Sequence, residues 1–322
     1  MTRAGRLCAA VLLCAAAGLA QAQAFPSRPI RIIVPISAGS STDIIARLTA
    51  DKLRDALGQP VIVENRPGAG GTIGGAIVAK APPDGYTLFV HSNAHTVNAA
   101  LYSNLPYDPL GDFAGVTNLV TLPNVLVVAP SKNLRSVAEL LAAAKASRDK
   151  LTFGSGGVGS AAHMNGEHFR AMAKFDAIHV PFRGTPEAMV DTMAGRIDFS
   201  FLPLASILSS LKDGKLLPLA VASEQRSRLL PEVPTTVEAG VPNSSFMIWI
   251  GMMAPAQTPR DVVNLINREV VKAYQTPDVV QRLAALGADP ATNKPEEFDA
   301  SMRRELATLK EVVRAAGIKL DN

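Results

Sequence analysis

The sequence predicts an α/β fold in which parallel sheets carry helices on both faces, divided into two similar lobes. Short β-branched runs alternate with helical patterns along most of the chain, an order typical of parallel sheets. A strand, a small-residue loop, a helix and a second strand over residues 31–68 recur in the same order over residues 151–184. The chain has 322 residues, 48% of them hydrophobic, which is enough for about two domains with buried cores.

The elements before residue 130 follow from periodicity and from residues that end helices. Apolar residues at helical spacing, among them Leu48 and Leu53, predict a helix over residues 41–57 that ends at Gly58. A Gly-rich turn precedes a second predicted helix, 72–80. The predicted strands are 31–34, 61–63, 86–90, 116–120 and 125–129, the last two separated by Pro123-Asn124.

Capping patterns indicate the elements after residue 130. Ser136 and Glu139 form a capping box at the start of a helix that runs to Ala146. Thr185-Pro186 begins another helix, which Gly195 ends. The remaining predictions are helices at 161–173, from Thr258 and over 295–316, and strands at 151–153, 177–180, 197–201 and 216–221.

Residues 1–24 have the pattern of a secretory signal peptide. Arg3 and Arg6 give a basic start, a short apolar run follows, and Ala22-Gln23-Ala24 is a small-residue cleavage motif. We therefore expect export to the periplasm, with cleavage near Ala24.

The composition excludes several classes of function. Cys8 and Cys14, the two cysteines, lie in the signal segment, so we expect no disulfide, thiol nucleophile or zinc–thiolate site in the mature chain. The net charge of +4 includes Arg3 and Arg6, and only 5% of residues are aromatic. Nucleic-acid binding is not expected, because it needs clustered basic residues interleaved with aromatic ones.

Two loops of small residues, 37–41 and 154–160, carry the strongest functional signal. Each connects a predicted strand to a predicted helix, and a helix N-terminus has unpaired N–H groups and a partial positive charge. Glycine and serine let an anion approach this backbone closely. If the two lobes face each other, both helix N-termini point into one cleft, where we expect a carboxylate or a phosphate to bind.

Three other chemistries have weaker patterns. Gly154 to Gly159 matches the G-x-G-x-x-G pattern of dinucleotide sites, but Asp176 precedes the next strand instead of ending it. His91 and His95 have a metal-ligand spacing without H-E-x-x-H or an acidic cluster. No G-x-S-x-G motif of a serine hydrolase occurs. We expect neither a cofactor nor a metal.

A few single residues have two readings each. His95 and His163 are candidate hydrogen-bond donors at the cleft. Arg183 either clamps a carboxylate or lies in solvent at the entry to a helix. Trp249, the single tryptophan, is expected in the core or on a strand that crosses between the lobes.

Several motifs, in order along the chain, resemble those of the Bug-type periplasmic solute receptors of tripartite tricarboxylate transporters. The similarity extends over essentially the whole mature chain, and the ordered set is far more specific than any one motif. The motifs are Val34-Pro35 with Ala38-Gly39 and Thr42-Asp43, Val63 to Gly71, Asp84 to Leu88, Leu105 to Asp108, Gly154 to Gly157 with Gly159-Ser160, Val180 to Gly184, Val233 to Thr235, and Glu238 to Gly240.

The resemblance implies a two-lobed type II periplasmic-binding-protein fold, with lobe 1 over residues 25–120 plus 249–322 and lobe 2 over 121–248. The chain would cross between the lobes at 119–124 and 246–250, and hinge motion would close the cleft on a small organic acid. Such a receptor is not an enzyme, acts as a monomer and presents its ligand to membrane permease subunits.

The resemblance also implies a ligand site made of backbone amides in the first loop, polar groups after the third strand and the Gly/Ser loop of the second lobe. Carried onto this sequence, the site comprises Ile36, Ser37, Ala38, Gly39, Ser40, Ser41, Asp43, Asn93, His95, Thr96, Ser155, Gly156, Gly159, Ser160, His163 and Leu202. Asp43 either caps its own helix or orders the loop instead of touching ligand.

The sequence departs from the family pattern in two places. Ser37 and Ser40 replace the usual second proline and second glycine of the first loop. Leu202 stands near a position that is often acidic in relatives, so one anchor for an ammonium group is missing, which favours a simple or aromatic carboxylate over an amino acid. A sensory receptor for a carboxylate and an exported hydrolase on the same scaffold are the alternative functions.

Overall fold

The computed structural model describes residues 25–102 and 104–316, with side chains described as far as Lys310. The predicted signal segment lies outside the described residues. The strands are β1 (Ile30–Val34), β2 (Val61–Asn65), β3 (Thr87–Ser92), β4 (Phe113–Val128), β5 (Leu151–Ser155), β6 (Ala177–Pro181), β7 (Phe199–Pro203), β8 (Leu217–Val221), β9 (Met247–Pro255) and β10 (Asp289–Pro290). The α-helices are α1 (Ser41–Leu57), α2 (Thr72–Ala79), α3 (Ala94–Leu101), α4 (Val137–Ala146), α5 (Ala161–Ala173), α6 (Thr185–Met193), α7 (Leu204–Lys212), α8 (Arg260–Tyr274), α9 (Pro277–Ala285) and α10 (Pro295–Ala316).

The first sheet has the strand order β2–β1–β3–β9–β4. β1 is parallel to both β2 and β3, whereas β9 is antiparallel to both β3 and β4. Four of these five strands therefore point the same way, and β9 is the reversed one. The short β10 pairs with β4 beside Val120 and Thr121.

The second sheet repeats this arrangement in the order β6–β5–β7–β4–β8. β5 is parallel to β6 and β7, and the last part of β4 is antiparallel to β7 and β8. The repeated unit predicted from the sequence is confirmed, since β1–α1–β2 and β5–α5–β6 have the same parallel connection. The two-lobed α/β fold with mainly parallel sheets is confirmed as well.

β4 belongs to both sheets and corrects the prediction of two strands separated by Pro123-Asn124. Its register follows β9 as far as Pro123 and follows β7 from Asn124 onward. Proline has no N–H to donate, so the strand changes partner where one ladder bond is missing. The chain returns to the first sheet between Phe246 and Met247. The Phe246 N–H donates to the Ala222 carbonyl, directly after β8 of the second sheet, whereas Met247 pairs with Pro123 in the first sheet.

The sequence analysis did not predict helices α3, α7 and α9. α3 begins two residues after β3, and α7 begins directly after β7, so neither is preceded by a loop of turn residues. β9 was recognised only as an apolar run. Its Trp249 packs in the core, where the indole N–H donates to Glu305 Oε2 at 2.9 Å and the ring meets Phe298 edge-on.

Each lobe has apolar residues on both faces of its sheet. Ile32 and Leu88 belong to the large cluster of the first lobe, and Phe153 and Phe199 to that of the second, all with 0% exposure. Within the described residues, no helix combines the length and the hydrophobicity that a bilayer crossing needs.

Candidate functional site

Five helices begin at one small cavity between the two lobes. The cavity has a volume of about 40 Å³. The first residues of α1, α3, α5 and α6 and the residue preceding α7 all line it: Ser41, Thr42, Ala94, Ala161, Ala162, Thr185 and Pro203. Because every helix N-terminus carries a partial positive charge, this convergence makes the cavity favourable for an anion.

The loop before α1 is held in place by its own side chains. Ser40 caps the helix, since its Oγ accepts the Asp43 N–H at 3.3 Å, and Asp43 Oδ2 accepts the Gly39 N–H at 2.9 Å. Arg47 and Asn65 also donate to the Asp43 carboxylate. Burial raises the pKa of Asp43, but these hydrogen bonds outweigh burial and hold the pKa below its usual value. Asp43 therefore orders the loop as a carboxylate and does not line the cavity.

The loop before α5 has the same geometry, with a histidine in place of the aspartate. Ser160 Oγ accepts the His163 N–H at 3.2 Å, and His163 Nδ1 accepts the Gly159 N–H at 3.1 Å. Gly39 and Gly159 have φ values of 80° and 75°, which favour glycine. Burial, with a smaller effect of Arg170, lowers the pKa of His163 to about 4, so the ring is neutral and can accept this bond.

The first two residues of each of these helices line the cavity, and their N–H groups lie at the open end of the helix. In α1 they belong to Ser41 and Thr42, and in α5 to Ala161 and Ala162. Among the described residues, no hydrogen-bond acceptor is assigned to any of the four N–H groups. A carboxylate between the lobes would satisfy donors from both, and bonds of a charged acceptor to such donors contribute about 1.5–3 kcal/mol each.

The rest of the lining is apolar or carries small polar groups. The apolar side chains are Ile36, Ala94, Ala161, Ala162, Pro203, Ile248 and Ile250, and the polar ones are Ser40, Ser41, Thr42, His91, Ser92, Ser160 and Thr185. None of the described residues that line the cavity is Asp, Glu, Lys or Arg. The positive potential therefore comes from backbone dipoles, and an ammonium group would find no carboxylate partner in this lining.

The lobes are closed over the cavity. Ser37 Oγ donates to Glu187 Oε1 at 2.8 Å, and Ser41 Oγ lies 2.8 Å from Ser206 Oγ, both pairs joining opposite lobes. Gly70 packs so closely against Val158 that a Cβ atom at position 70 would overlap the Val158 carbonyl oxygen. A ligand can enter only if these contacts separate.

The structure brings five of the sequence-predicted site residues to the cavity lining: Ile36, Ser40, Ser41, Gly156 and Ser160. Ser37, Ala38 and Gly39 lie outside it, with Ala38 and Gly39 exposed to solvent. Gly159 and His163 stand behind the lining and fix the loop, as described above. The contribution of these residues is to shape the backbone that presents the donors.

Three residues predicted after the third strand, Asn93, His95 and Thr96, lie outside the cavity lining. β3 ends two residues later than predicted and α3 follows at once, which turns these side chains toward the core. His95 Nε2 bonds to the Pro109 carbonyl at 2.7 Å. Thr96 Oγ1 donates to Glu305 Oε2 at 2.7 Å. His91, Ser92 and Ala94 line the cavity instead.

Ser155 and Leu202 also lie away from the cavity. Ser155 is fully buried, and its Oγ lies 2.6 Å from His179 Nε2 in a contact that ties β5 to β6. Leu202 is inside β7, opposite Val125 of β4, because this strand runs two residues further than predicted. Its side chain has 0% exposure in the apolar cluster with Ile207.

Two other predictions can be placed. Arg183 is exposed and lines a neighbouring groove that shares Gly70 and Gly156 with the cavity. Among the described residues, no group of three or more His, Cys, Asp or Glu side chains is arranged to hold a metal ion.

Sequence reasoning missed His91 and the apolar wall of Ile248 and Ile250. His91 was considered only for a metal, because the predicted strand ended before it. Ile248 and Ile250 lie two positions apart in β9 and therefore on the same face of the strand. This period of two would have indicated the apolar wall if residues 247–255 had been predicted as a strand.

Comparisons with known proteins show the family of this chain. The family model described as "Tripartite tricarboxylate transporter family receptor" matches residues 45–318. Protein BugT of Bordetella pertussis is 37% identical over 311 residues, which cover 95% of each chain.

Two solved structures are similar over nearly their full length. A protein of R. palustris with adipate has a TM-score of 0.88 and 32% identity, with 92% of this chain and 99% of that chain covered. MatC from Rhodopseudomonas palustris with bound malate has a TM-score of 0.84 and 32% identity, with 90% of this chain and 100% of that chain covered.

Proposed function

We propose that this chain, which belongs to the tripartite tricarboxylate transporter receptor family, captures a small carboxylate between its lobes and delivers it to a membrane permease. One observation carries the proposal: helices α1 and α5, from opposite lobes, each line one cavity with their first two residues, whose N–H groups have no acceptor among the described residues. The carboxylates adipate and malate in the two similar structures support the same ligand class.

The proposed mechanism is closure around the ligand. We take the hinge to be the two crossings, at Pro123–Asn124 and Phe246–Met247, which lie within three residues of the proposed bounds of lobe 1 (25–120 plus 249–322) and lobe 2 (121–248). A carboxylate that accepts hydrogen bonds from both lobes binds the closed state more tightly than the open state. It therefore shifts the population toward closure by its difference in affinity for the two states.

The same proposal assigns the cell compartment and the partner. The signal-peptide pattern with cleavage near Ala24 supports a periplasmic receptor, and we propose that it acts as a monomer. Permease subunits would distinguish the closed receptor from the open one by the surfaces that closure brings together.

The proposal predicts that carboxylates, and not their neutral amides, stabilise the protein. We expect at least one of benzoate, succinate and adipate to raise the melting temperature by about 5 °C at a hundredfold excess over Kd. Benzamide, succinamide and adipamide have nearly the same shape without the charge, so they should leave the melting temperature unchanged. Differential scanning fluorimetry of the mature chain measures both.

Equal shifts with an acid and its amide would show that the cavity does not select for negative charge. Absence of a shift with all three acids, checked by calorimetry at millimolar concentration, would count against carboxylate capture itself.

A further inference from the structure

His91 is a buried polar side chain at the cavity without a partner of its own. It lies near the end of β3, lines the cavity and is 1% exposed. Neither ring nitrogen has a hydrogen-bond partner among the described residues. Since buried polar groups in proteins are nearly always paired, a partner is expected from whatever the cavity binds.

The other polar side chains of the lining are largely engaged already. Ser40 Oγ and Ser160 Oγ each accept an N–H of their own helix, and Ser41 Oγ is paired with Ser206 across the cleft. Ser92 Oγ accepts the Ala94 N–H. Several buried side-chain polar atoms have no hydrogen-bond partner in the described part of the chain. Among them, the two ring nitrogens of His91 are the ones that belong to a cavity-lining residue.

The ring of His91 is held in a fixed position. Its Nε2 lies against Gly71, where a Cβ atom would come within 2.6 Å of it, so glycine at position 71 provides the room for the ring. Phe89 and His95 pack around it at centroid distances of 5.3 and 6.2 Å. A ring confined in this way can select for a partner at a defined place.

The chemistry of this partner follows from the charge state of the ring. Burial, with a smaller effect of His95, lowers the pKa of His91 well below 6.5, so the ring is neutral at neutral pH. A neutral imidazole offers one N–H donor and one nitrogen acceptor. A hydroxyl group can satisfy either of them, and a keto oxygen can accept from the N–H.

We propose that His91 determines ligand specificity by hydrogen-bonding an uncharged hydroxyl or keto oxygen on the carbon skeleton of the bound carboxylate. The ligand class is then a hydroxy or oxo acid, whose carboxylate lies at the helix N-termini and whose apolar carbons meet Ile248 and Ile250. This inference rests on the proposed function, because it assumes that a carboxylate occupies the cavity.

The test compares acids that differ by one oxygen. Calorimetry gives Kd for butanoate against 2-hydroxybutanoate and 2-oxobutanoate, and for benzoate against 3-hydroxybenzoate and 4-hydroxybenzoate. We expect at least one oxygenated acid to bind about tenfold more tightly than its parent acid. His91→Phe should reduce this preference, taken as the ratio of the two Kd values measured in the same variant, to less than twofold. His91→Gln should restore part of the preference, and the control His168→Gln, whose ring bonds to the Asn243 carbonyl outside the lining, should keep all of it.

Each result bears on the inference. If acids bind but no preference for an oxygenated acid over its parent depends on His91, the inference is overturned and carboxylate capture stays intact. Failure of every acid to bind overturns both. Should His91→Phe not fold, ¹⁵N spectra of histidine-labelled wild-type protein decide: the ring nitrogens of His91 must shift with the oxygenated acid more than with the parent acid, and equal shifts overturn the inference.

Discussion

Replacement of Gly70 by alanine is expected to weaken carboxylate binding about a hundredfold. Gly70 of lobe 1 faces the Val158 carbonyl of lobe 2, and a Cβ atom would overlap that oxygen in the closed state. Both partners are backbone, so the clash is relieved only if the lobes move apart. Overpacking of this kind costs about 1–3 kcal/mol, which at its upper end is about a hundredfold in Kd. Calorimetry with the carboxylate that gives the largest thermal shift measures the loss.

Gly58→Ala is a matched control. Gly58 has φ 68° and ψ 15°, nearly those of Gly70 at 62° and 16°, but nothing lies within 4 Å of its Cβ position. Both variants should lose about 1 kcal/mol of stability from the left-handed conformation, while Gly58→Ala keeps wild-type Kd. If Gly70→Ala bound as tightly as Gly58→Ala, the closed arrangement described here would not be the ligand-bound one.

The free energy of unfolding is expected to fall by several kcal/mol between pH 7 and pH 4. Burial lowers the pKa of His95 and of His163 to about 4, against 6.5 for free histidine, and lowers that of His179 to about 3. The unfolded chain therefore binds protons first as the pH falls. The stabilisation is fully present above pH 6.5 and is lost progressively toward pH 4, by up to about 3 kcal/mol each for His95 and His163. Urea unfolding at a series of pH values measures it.

The effect should be traceable to single histidines. His163→Asn removes one titrating group while the amide oxygen, at the place of Nδ1, still accepts the Gly159 N–H, so the dependence of stability on pH should become shallower. His168→Gln, on the outer part of α5, is the control. Burial raises the pKa of Glu305, so this group stabilises the protein as the pH falls through the same range, opposite to the histidines. If the free energy of unfolding did not change with pH in wild type or in either variant, the assignment of neutral buried histidines would be contradicted.

Much of the architecture was predictable because local signals agree with the fold. Periodicity and the stop at Gly58 predicted α1 with its observed bounds, the predicted bounds of α5 also agree, and the small-residue loops before both helices indicated the two opposed helix N-termini. These predictions depend on contacts within a few residues, such as Ser40 to Asp43 and Ser160 to His163.

The side chains of the site were less predictable because they depend on where a strand ends. β3 and β7 each extend two residues further than predicted. This extension brings His91 to the cavity in place of His95 and buries Leu202 in the sheet. The contact of Gly70 with Val158 joins residues 88 positions apart, so only the relative position of the lobes reveals it.

Amide proton shifts on ligand binding test most directly whether both helix N-termini hold the carboxylate. In ¹H–¹⁵N spectra with saturating acid, the N–H protons of Ser41, Thr42, Ala161 and Ala162 should all move downfield. The first N–H groups of α4, which begins away from the cavity at Val137, should not move. Downfield shifts in one helix only, or in neither, would contradict the grip from both lobes.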